Sequence, residues 1–400
     1  MFNLLLQFTM GSLLLAVIYL AFISLGLPDS LLGSGWPAMQ ASLNVPSSYA
    51  GYISMAISLM TVISSLCSPH LIKKLAVKWI VIISIALTVC GLLGFSSVNQ
   101  YWQLLVWAIP YGLGAGSIDA ALNYYVASHY SSRVMNFLHC FYGLGAVISP
   151  NIMAFALLKA NWHTGYLWTA MLQSFILFVC IISLSLWKVN KEADEDSEAS
   201  ESVGIMSSLK VPGVILTLIA FFSYCSGEAT SFLWTSSYFA GTKSNINSEL
   251  IASFGSLIFG GLMLGRIIAG LISHRLSDRK LIRVGLITEA IGILLVIIPT
   301  PQYYLAAIGF LIIGTGMGPI YPAIQHMAPA NFGKKYAAAV IGLPMAAAYV
   351  GSTFMPTLFG FIQQKTGIWI MPYYLALFAL LNFIFLELAY RRIATHKANS

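Results

Sequence analysis

Twelve apolar stretches follow one another along the chain, and each is long enough to cross a lipid bilayer as a helix, which takes about 20 residues. They lie near residues 8–33, 48–69, 79–98, 102–128, 134–158, 163–187, 209–239, 249–273, 281–299, 302–328, 335–362 and 367–390. Only 8% of the residues are charged, against about 25% in a typical soluble chain, so too few polar side chains remain to cover a globule in water. The sequence therefore predicts an all-α polytopic membrane protein with twelve transmembrane helices.

Basic residues distinguish the two sides of the predicted membrane. Sixteen of the 20 Lys and Arg residues lie in loops and tails on one side: Lys73, Lys74, Lys78, Arg133, Lys188, Lys191, Lys210, Arg275, Arg279, Lys280, Arg283, Lys334, Lys335, Arg391, Arg392 and Lys397. The other side carries only Lys159, Lys243 and Lys365, and Arg266 lies inside the eighth stretch. By the positive-inside rule the richer side is cytoplasmic, so we expect a multi-pass protein of the plasma (inner) membrane with both termini in the cytoplasm.

Three further features bear on the class of protein. The first stretch has no basic segment before it and is too long for the core of a signal peptide, so we expect it to be kept as the first span. The net charge of +7 is spread over short clusters that form no basic domain, so nucleic acid is not an expected partner. The five cysteines lie inside apolar stretches without a CxxC pair or zinc-ligand spacing, which favours packing roles.

One long hydrophilic stretch divides the chain. Between Lys188 and about Ser208 lie six of the 13 acidic residues, among Ser and Ala: Glu192, Asp194, Glu195, Asp196, Glu198 and Glu201. This composition is typical of a flexible, solvated tether, although a regulatory role stays open. We predict an N-terminal six-helix bundle at 1–187, a cytoplasmic acidic linker at 188–208 and a C-terminal six-helix bundle at 209–400.

The two halves repeat a glycine-rich pattern. The fourth stretch contains Gly112-x-Gly114-x-Gly116-x-Ile118-Asp119-x-Ala121-x-Asn123, and the tenth contains Gly314-x-Gly316-x-Gly318-x-Ile320-Tyr321-x-Ala323-x-Gln325, 202 positions later. Gly145 and Pro150 in the fifth stretch are likewise matched by Gly351 and Pro356 in the eleventh. Two pseudo-symmetric halves joined by a linker are the organisation of alternating-access transporters, which bind substrate between the halves near mid-membrane. The glycines alone also fit close helix packing.

Four carboxylates lie within the apolar stretches: Asp29, Asp119, Glu228 and Glu289. A charged carboxylate at the centre of a membrane helix costs at least ~2.5 kcal/mol, so such groups face the bundle interior, pair with a cation or titrate. No Lys lies beside them, and Arg266 is too near the cytoplasmic end to reach most of them. We predict proton coupling through Asp119, Asp29 and Glu228, and we expect Glu289, which has no recognisable context, to be structural.

The surroundings of the first two carboxylates support this prediction. Asn123 follows Asp119 by one helical turn, so a neutral amide lies beside the carboxyl on one face. Asp29 follows Pro28 within GLPDSLLGSGWP, where proline and glycine should interrupt the first helix. Glu228 lies within YCSGEATSFLWTSSY, the corresponding region of the seventh stretch, where a structural role is equally open.

Polar and aromatic side chains within the stretches are candidates for solute binding. Asn136, His139 and Gly143 share one helical face, and an imidazole can pass a proton or bind a hydroxyl. Aromatic rings can stack on the apolar face of a sugar, although each could equally belong to the core or the membrane interface. The predicted binding residues are Asn123, Asn136, His139, Tyr142, Trp234, Tyr238, Tyr321 and Gln325.

Several of these motifs resemble those of a known family. GRIIAGLISHRLSDRK, from Gly265 to Lys280, resembles the cytoplasmic loop signature of the major facilitator superfamily between spans 8 and 9. Within that superfamily, three features resemble the fucose:proton symporter (fucose permease) family. They are GLGAGSIDAALNYYV at 112–126, NFLHCFYGLGAVISP at 136–150, and the acid before a Leu pair at Asp29. The series of Tyr, Glu, Trp and Tyr in the seventh stretch is similar to that family as well.

The resemblance covers essentially the whole chain and implies the major facilitator fold. It implies proton-driven sugar uptake, with Asp119 and Asp29 in the positions of the carboxylates that handle the proton and the sugar. It also implies a conformational role for five residues of the loop signature: Gly265, Arg266, Arg275, Asp278 and Arg279. Asp119 stands where the family has the longer Glu, and His139 and Tyr142 stand where it has Gln and Asn, which does not favour fucose itself as the solute.

We therefore expect a monomeric, proton-coupled symporter of a sugar or related polyhydroxylated solute, driven by the proton gradient without cofactor or metal. The alternative is an antiporter that exports drugs or metabolites. Four carboxylates and many aromatic rings would suit amphipathic cations, but Ser149 before Pro150 replaces the Gly-Pro signature of such antiporters. A lipid flippase or a non-transporting sensor stays open. No P-loop, nucleophile elbow or HExxH motif is present, so we expect no enzymatic activity.

Overall fold

The computed structural model describes residues 2–130, 132–187, 209, 211–332 and 334–399, which form helices and no strand. Eleven helical segments of this described part are long and apolar enough to cross a membrane. They match eleven of the twelve predicted stretches. The remaining stretch, 281–299, corresponds to a helix at Asp278–Ile297. Its 20 residues include Lys280, Arg283 and Glu289, which make it less apolar than the other eleven segments.

The chain divides into two compact units. Unit 1 contains Met1–Ala199 together with Asn247–Ser256, and unit 2 contains Ser200–Ile246 and Leu257–Ser400. The predicted linker at 188–208 lies outside the described residues, so its character stays a prediction. The short segment Asn247–Ser256 belongs to unit 1 although it follows the first helix of unit 2 in the chain.

Unit 1 is built from the first seven helices and one short helix from later in the chain. The first seven are α1 (Phe2–Asp29), α2 (Leu31–Leu43), α3 (Tyr49–Lys74), α4 (Val77–Ser97), α5 (Tyr101–His129), α6 (Ser132–Lys159) and α7 (Trp162–Ile182). Helix α7 continues as a 3-10 turn at Ser183–Leu186. The next helix in the chain, α8 (Val214–Thr242), belongs to unit 2, and the short helix of unit 1 that follows it is α9 (Ser248–Ser253). Helix α9 packs against α6 and α2. Asn161 and Asn247 cap α7 and α9, because each side-chain oxygen accepts a hydrogen bond of 3.1 Å from a first-turn backbone N–H.

Unit 2 contains α8 and the remaining helices. They are α10 (Ser256–Ile272), α11 (Asp278–Ile297), α12 (Tyr304–Met317), α13 (Ile320–Phe332), α14 (Lys334–Thr366), a 3-10 turn at Ile368–Ile370 and α15 (Met371–Asn399). Helix α8 packs against α14 and α15, and α11 packs against α12, α13 and α15.

The predicted interruption of the first span is confirmed. Helix α1 ends at Asp29 and α2 begins at Leu31, directly after Pro28. Ser30 lies at the break, where its hydroxyl donates to the Ala146 carbonyl oxygen at 2.7 Å. A second interruption, between α12 and α13 at Gly318 and Pro319, did not follow from the sequence because glycine and proline are common within membrane helices.

The repeated glycines bring helix backbones into contact in both units. In unit 1, a Cβ atom at Gly112 or Gly116 would overlap a carbonyl oxygen of α3, and one at Gly114 would overlap a carbonyl oxygen of α4. In unit 2, Gly314 lies against the backbone of α10 in the same way and Gly316 against that of α11. Each glycine-rich helix therefore packs between two others. This agrees with the interpretation of the repeated glycines as positions of close helix packing.

Candidate functional site

Asp119 and Asn123 are adjacent on α5, as their spacing predicted. Asn123 Nδ2 donates to Asp119 Oδ1 at 2.8 Å and to the Asp119 carbonyl oxygen at 2.9 Å. Both side chains are half-buried. The amide therefore holds the carboxyl in place while leaving part of it accessible to a proton or a polar solute.

Asp29 lies at the break between α1 and α2 and is bound by a residue of α6. Tyr142 Oη donates to Asp29 Oδ2 at 2.7 Å. The Asp29 side chain is exposed. Two of the predicted site residues, 113 positions apart in the chain, thus form one hydrogen-bonded pair.

Two glycines explain how α1 and α6 place this pair. A Cβ atom at Gly26 would overlap the Tyr142 carbonyl oxygen, and a Cβ atom at Gly145 would overlap the Ile23 carbonyl oxygen. The two backbones can approach this closely only because both positions lack a side chain. The approach brings the Tyr142 ring within reach of Asp29, one helical turn beyond Gly26.

Asp29 and Asp119 are the two intramembrane carboxylates of unit 1, and each accepts a hydrogen bond from a neutral side chain. In the described part of the chain, no Lys or Arg forms an ion pair with either of them. Two like charges without a cation in a membrane-embedded site are costly, and binding a proton removes part of that cost.

The other predicted residues of α6 lie on the same helix as Tyr142. His139 is half-buried and its ring meets Phe22 of α1 edge-on, with 5.9 Å between the ring centroids. Its ring therefore faces the α1 side of α6, as Tyr142 does. The Asn136 side chain lies outside the described part of the structure, so its assignment as a binding residue stays a prediction.

Glu228 of α8 is bound by a residue of its own helix. Tyr224 Oη lies 2.7 Å from Glu228 Oε1 and 3.2 Å from the Met317 carbonyl oxygen, at the end of α12. Among the described residues, neither Arg266 nor any other Lys or Arg forms an ion pair with Glu228.

Trp234 and Tyr238 lie in the core of unit 2. Trp234 is fully buried, and its Nε1 donates to the Pro356 carbonyl oxygen at 2.9 Å. Tyr238 is 5% exposed and donates to the Val296 carbonyl oxygen at 3.2 Å. Both contacts lie within unit 2, and the assignment of these two rings to solute binding stays a prediction.

Tyr321 and Gln325 of α13 are neighbours one turn apart. Gln325 Nε2 lies 3.5 Å from Tyr321 Oη, and the Tyr321 ring lies beside the rings of Phe221 and Tyr224, with centroids 5.1 and 6.4 Å away. Within unit 2, these two predicted residues therefore lie near Tyr224, which is hydrogen-bonded to Glu228.

The five predicted loop residues fall into two groups. Gly265 lies against the Thr315 carbonyl oxygen, and the Nε atom of Arg266 is buried without a hydrogen-bond partner among the described residues. The other three lie around the turn between α10 and α11. Arg275 Nε donates to the side chain of His274 at 3.1 Å, and Asp278 Oδ2 lies 2.8 Å from His326 Nδ1.

Arg279 takes part in an ion-pair cluster that the sequence did not predict. Its guanidinium lies 2.5 Å from Glu387 Oε2, and Arg283 forms two bonds of 2.7 and 2.9 Å to the same carboxylate. The cluster joins α11 to α15. No local pattern indicates this cluster, because Glu387 lies 108 positions from Arg279 and 104 from Arg283.

Two tyrosines form hydrogen bonds at the sites although neither is among the predicted coupling or binding residues. Tyr111 donates to the Pro28 carbonyl oxygen at 2.6 Å, and Tyr224 contacts Glu228. The second contact had a usable signal, because a Tyr four residues before a Glu shares its helix face. The first had none. Within the described residues, no group of three or more His, Cys, Asp or Glu side chains could hold a metal ion.

Comparison with curated proteins gives two relatives of different kinds. The chain is 24% identical to the glucose/mannose transporter GlcP of Bacillus subtilis (strain 168) over 318 residues, 75% of this chain and 76% of that protein. It is 25% identical to the tetracycline resistance protein, class D, of Salmonella ordonez over 276 residues, 67% of this chain and 68% of that protein.

Solved structures share the fold over nearly the whole chain. The nucleoside transporter NupG superposes with a TM-score of 0.73 at 13% identity, covering 95% of this chain and 98% of that one. The outward conformation of FucP, a Major Facilitator Superfamily transporter, gives a TM-score of 0.64 at 17% identity, covering 94% and 98%.

The family model of the Major Facilitator Superfamily matches residues 18–343 and 216–400, which together take in nearly the entire chain. The helical segments, the repeated glycine-rich helices and the shared fold agree with this match. We conclude that the chain belongs to the Major Facilitator Superfamily and is a multi-pass membrane transporter, not an enzyme.

Proposed function

We propose that this transporter is a proton-coupled symporter of a sugar or a related polyhydroxylated solute, working by alternating access. The observation that carries the proposal is the site of unit 1, where neither Asp29 nor Asp119 has an ion-pair partner among the described cations. Tyr142 and Asn123 hydrogen-bond the two carboxyls, so the site offers both a place for a proton and groups that bind hydroxyls.

In this mechanism Asp119 carries the coupling proton and Asp29 binds the solute. A proton on Asp119 removes one of two like charges, which favours the conformations that can reorient. Solute hydroxyls would donate to Asp29 and accept from Asn123 or His139. Glu228 is a further coupling group in unit 2. Driving force comes from the proton gradient, and no cofactor takes part.

Two similarities support a sugar as the solute. One relative is the glucose/mannose transporter GlcP, and one solved structure that shares the fold is that of the E. coli fucose:proton symporter FucP, at 18% identity. A specific observation also favours the second candidate function, an antiporter that exports drugs or metabolites, because another relative is named a tetracycline resistance protein.

A panel of solutes on reconstituted vesicles separates the two functions. The full-length protein is placed in vesicles with a pH dye in the lumen, and glucose, mannose, fucose, a nucleoside or tetracycline is added outside. Symport predicts that at least one sugar acidifies the lumen, because solute and proton enter together. Lumenal alkalinisation by tetracycline, with no response to any sugar, would assign the protein as an antiporter instead.

A matched variant pair links the response to the site. Asp119→Asn should abolish the sugar-driven acidification, whereas Glu249→Gln, the same change of carboxyl to amide at the start of α9, should keep it. We also propose that the protein is a monomer in the inner membrane with both termini in the cytoplasm. The orientation is supported by the 16 of 20 basic residues that lie in loops and tails on one side of the membrane.

A further inference from the structure

One face of α6 holds both residues at the break between α1 and α2. Tyr142, Ala146 and Ser149 lie at i, i+4 and i+7 on α6, so they share this face. Tyr142 Oη donates to Asp29 Oδ2 at 2.7 Å. The next two turns of the same face contact Ser30, the residue that follows Asp29 in the chain. Successive contacts along α6 therefore hold the carboxyl and the residue beside it.

A proline in α6 creates the acceptor for Ser30. Pro150 lies within α6 and has no backbone N–H, so it cannot donate to the carbonyl oxygen of Ala146, four residues earlier. An unpaired carbonyl oxygen is costly inside a membrane. Ser30 Oγ donates to this oxygen at 2.7 Å, and both residues are buried. The side chain at the break thus replaces the helical donor that Pro150 lacks.

The Ser30 hydroxyl makes this bond instead of capping its own helix. Ser30 occupies the N-cap position of α2, where a Ser side chain commonly accepts a hydrogen bond from a first-turn backbone N–H. It makes no such bond here. Its hydroxyl instead joins the break to α6, so stabilisation of the α2 terminus does not account for this side chain.

Ser149 holds the Ser30 hydroxyl from the other side. The two Oγ atoms lie 2.6 Å apart, and Ser149 is fully buried. The single hydroxyl proton of Ser30 goes to the Ala146 carbonyl oxygen, so Ser149 is the donor in the bond between the two serines. The result is a directed chain from Ser149 through Ser30 to Ala146, in which each hydroxyl proton has an acceptor.

From this geometry we propose that Ser30 and Ser149 are positioning residues of the solute site. Their hydroxyls hold the break of the first span against α6, and so keep the Asp29 carboxyl where Tyr142 binds it. The inference rests on the proposed function in one respect, that Asp29 binds the solute. Asp119 is bound by its neighbour on α5 and takes no part in this chain of bonds. The serine pair therefore acts on solute affinity and not on proton coupling.

Uptake kinetics of Ser149→Ala in vesicles test the inference, with the solute of the panel that the wild type carries. The variant removes the donor while Ser30 keeps its bond to Ala146, so the fold loses little. We expect KM to rise by about threefold to tenfold, the scale of one neutral hydrogen bond. The maximal rate and the acceleration by an inward proton gradient should not change. Ser174→Ala is the matched control, because that hydroxyl is bound within its own helix, α7, and KM should stay that of the wild type.

A double-mutant cycle shows whether Ser149 acts through Ser30. Ser30→Ala removes both bonds and leaves the Ala146 carbonyl oxygen without a donor, so KM should rise further than in Ser149→Ala. In the Ser30→Ala background, Ser149→Ala should have no additional effect on KM, because its acceptor is already absent. Thermal unfolding in detergent checks that each variant is folded.

Three results would overturn the inference. They are a wild-type KM in Ser149→Ala, an equal effect of Ser149→Ala with and without Ser30→Ala, or a loss of maximal rate and gradient response together with the rise in KM. The last would mean a general loosening of unit 1. Failure of the proposed function is recognised separately, because Asp29→Asn would then keep the wild-type KM. If Asp29→Asn raises KM and Ser149→Ala does not, only the positioning role is refuted.

Discussion

The hydroxyl of Tyr111 donates a hydrogen bond of 2.6 Å to the carbonyl oxygen of Pro28, one residue before Asp29. Unit 2 contains a similar contact, from Tyr224 to the Met317 carbonyl oxygen at the end of α12. In both units an interrupted helix is thus bound by a tyrosine from another helix, beside an intramembrane carboxylate. The interruption places polar groups within the membrane, and the tyrosine satisfies one of them.

Tyr111→Phe tests the contribution of this contact. Tyr111 is 2% exposed, and the variant leaves a buried carbonyl oxygen without its donor. We expect the free energy of unfolding to fall by about 1 kcal/mol, the usual scale of one hydrogen bond in a membrane protein. Thermal unfolding in detergent measures the change. Tyr373→Phe, at a ring that is 49% exposed, is the control and should unfold like the wild type.

The bond from Tyr142 to Asp29 predicts a coupled effect on transport. Tyr142→Phe should weaken solute binding by about tenfold to a hundredfold, because a hydrogen bond to a charged group contributes about 1.5–3 kcal/mol. Initial uptake rates over a range of solute concentrations measure this. In the Asp29→Asn background the same change should have a much smaller effect, since the partners act as one unit. Equal effects in both backgrounds would show that the hydroxyl does not act through Asp29.

The glycine contacts predict opposite outcomes for two similar substitutions. Gly116→Ala would bring a methyl group onto the Thr61 carbonyl oxygen, so we expect a loss of about 1–3 kcal/mol in unfolding free energy. Gly270→Ala has no atom within 4 Å of the new Cβ. It should be neutral or stabilising by up to about 1 kcal/mol, because alanine favours the helix. Equal unfolding temperatures for the two variants would contradict the packing described for α5.

The ion pairs between α11 and α15 predict a graded response. Glu387→Gln removes the partner of both Arg279 and Arg283 and should lower the unfolding temperature more than Arg279→Gln or Arg283→Gln, each of which leaves one pair. The two guanidinium groups are 42% and 47% exposed, so added salt should reduce the difference between Glu387→Gln and wild type. A difference that does not respond to salt would point to packing by Glu387 instead.

Much of the fold followed from the sequence because membrane helices are defined by composition over about 20 residues. The spans at 48–69 and 79–98 needed no knowledge of their neighbours. The break after Pro28 was also predictable, because the proline lies among glycines and an acid. The interruption at Gly318 was not, because glycine and proline are common within uninterrupted membrane helices and its contact with Tyr224 joins Met317 to a residue 93 positions earlier.

The candidate site was predictable where it depends on one helix. Asp119 and Asn123 are one turn apart, and their hydrogen bond follows from that spacing. The bond between Tyr142 and Asp29 depends on how closely α1 and α6 pack, which no local pattern encodes. The burial of Trp234 could not be predicted, because an aromatic ring in a membrane helix carries no local sign of whether it faces the core or a solute.

The central claim is that Asp119 couples solute movement to the proton. The most direct test is the initial uptake of the sugar that acidifies the lumen, measured in vesicles with and without an inward proton gradient. We predict that the gradient accelerates uptake by the wild type and by Glu249→Gln, and that it has no effect on Asp119→Asn. Uptake by Asp119→Asn that responds to the gradient as the wild type does would contradict this account.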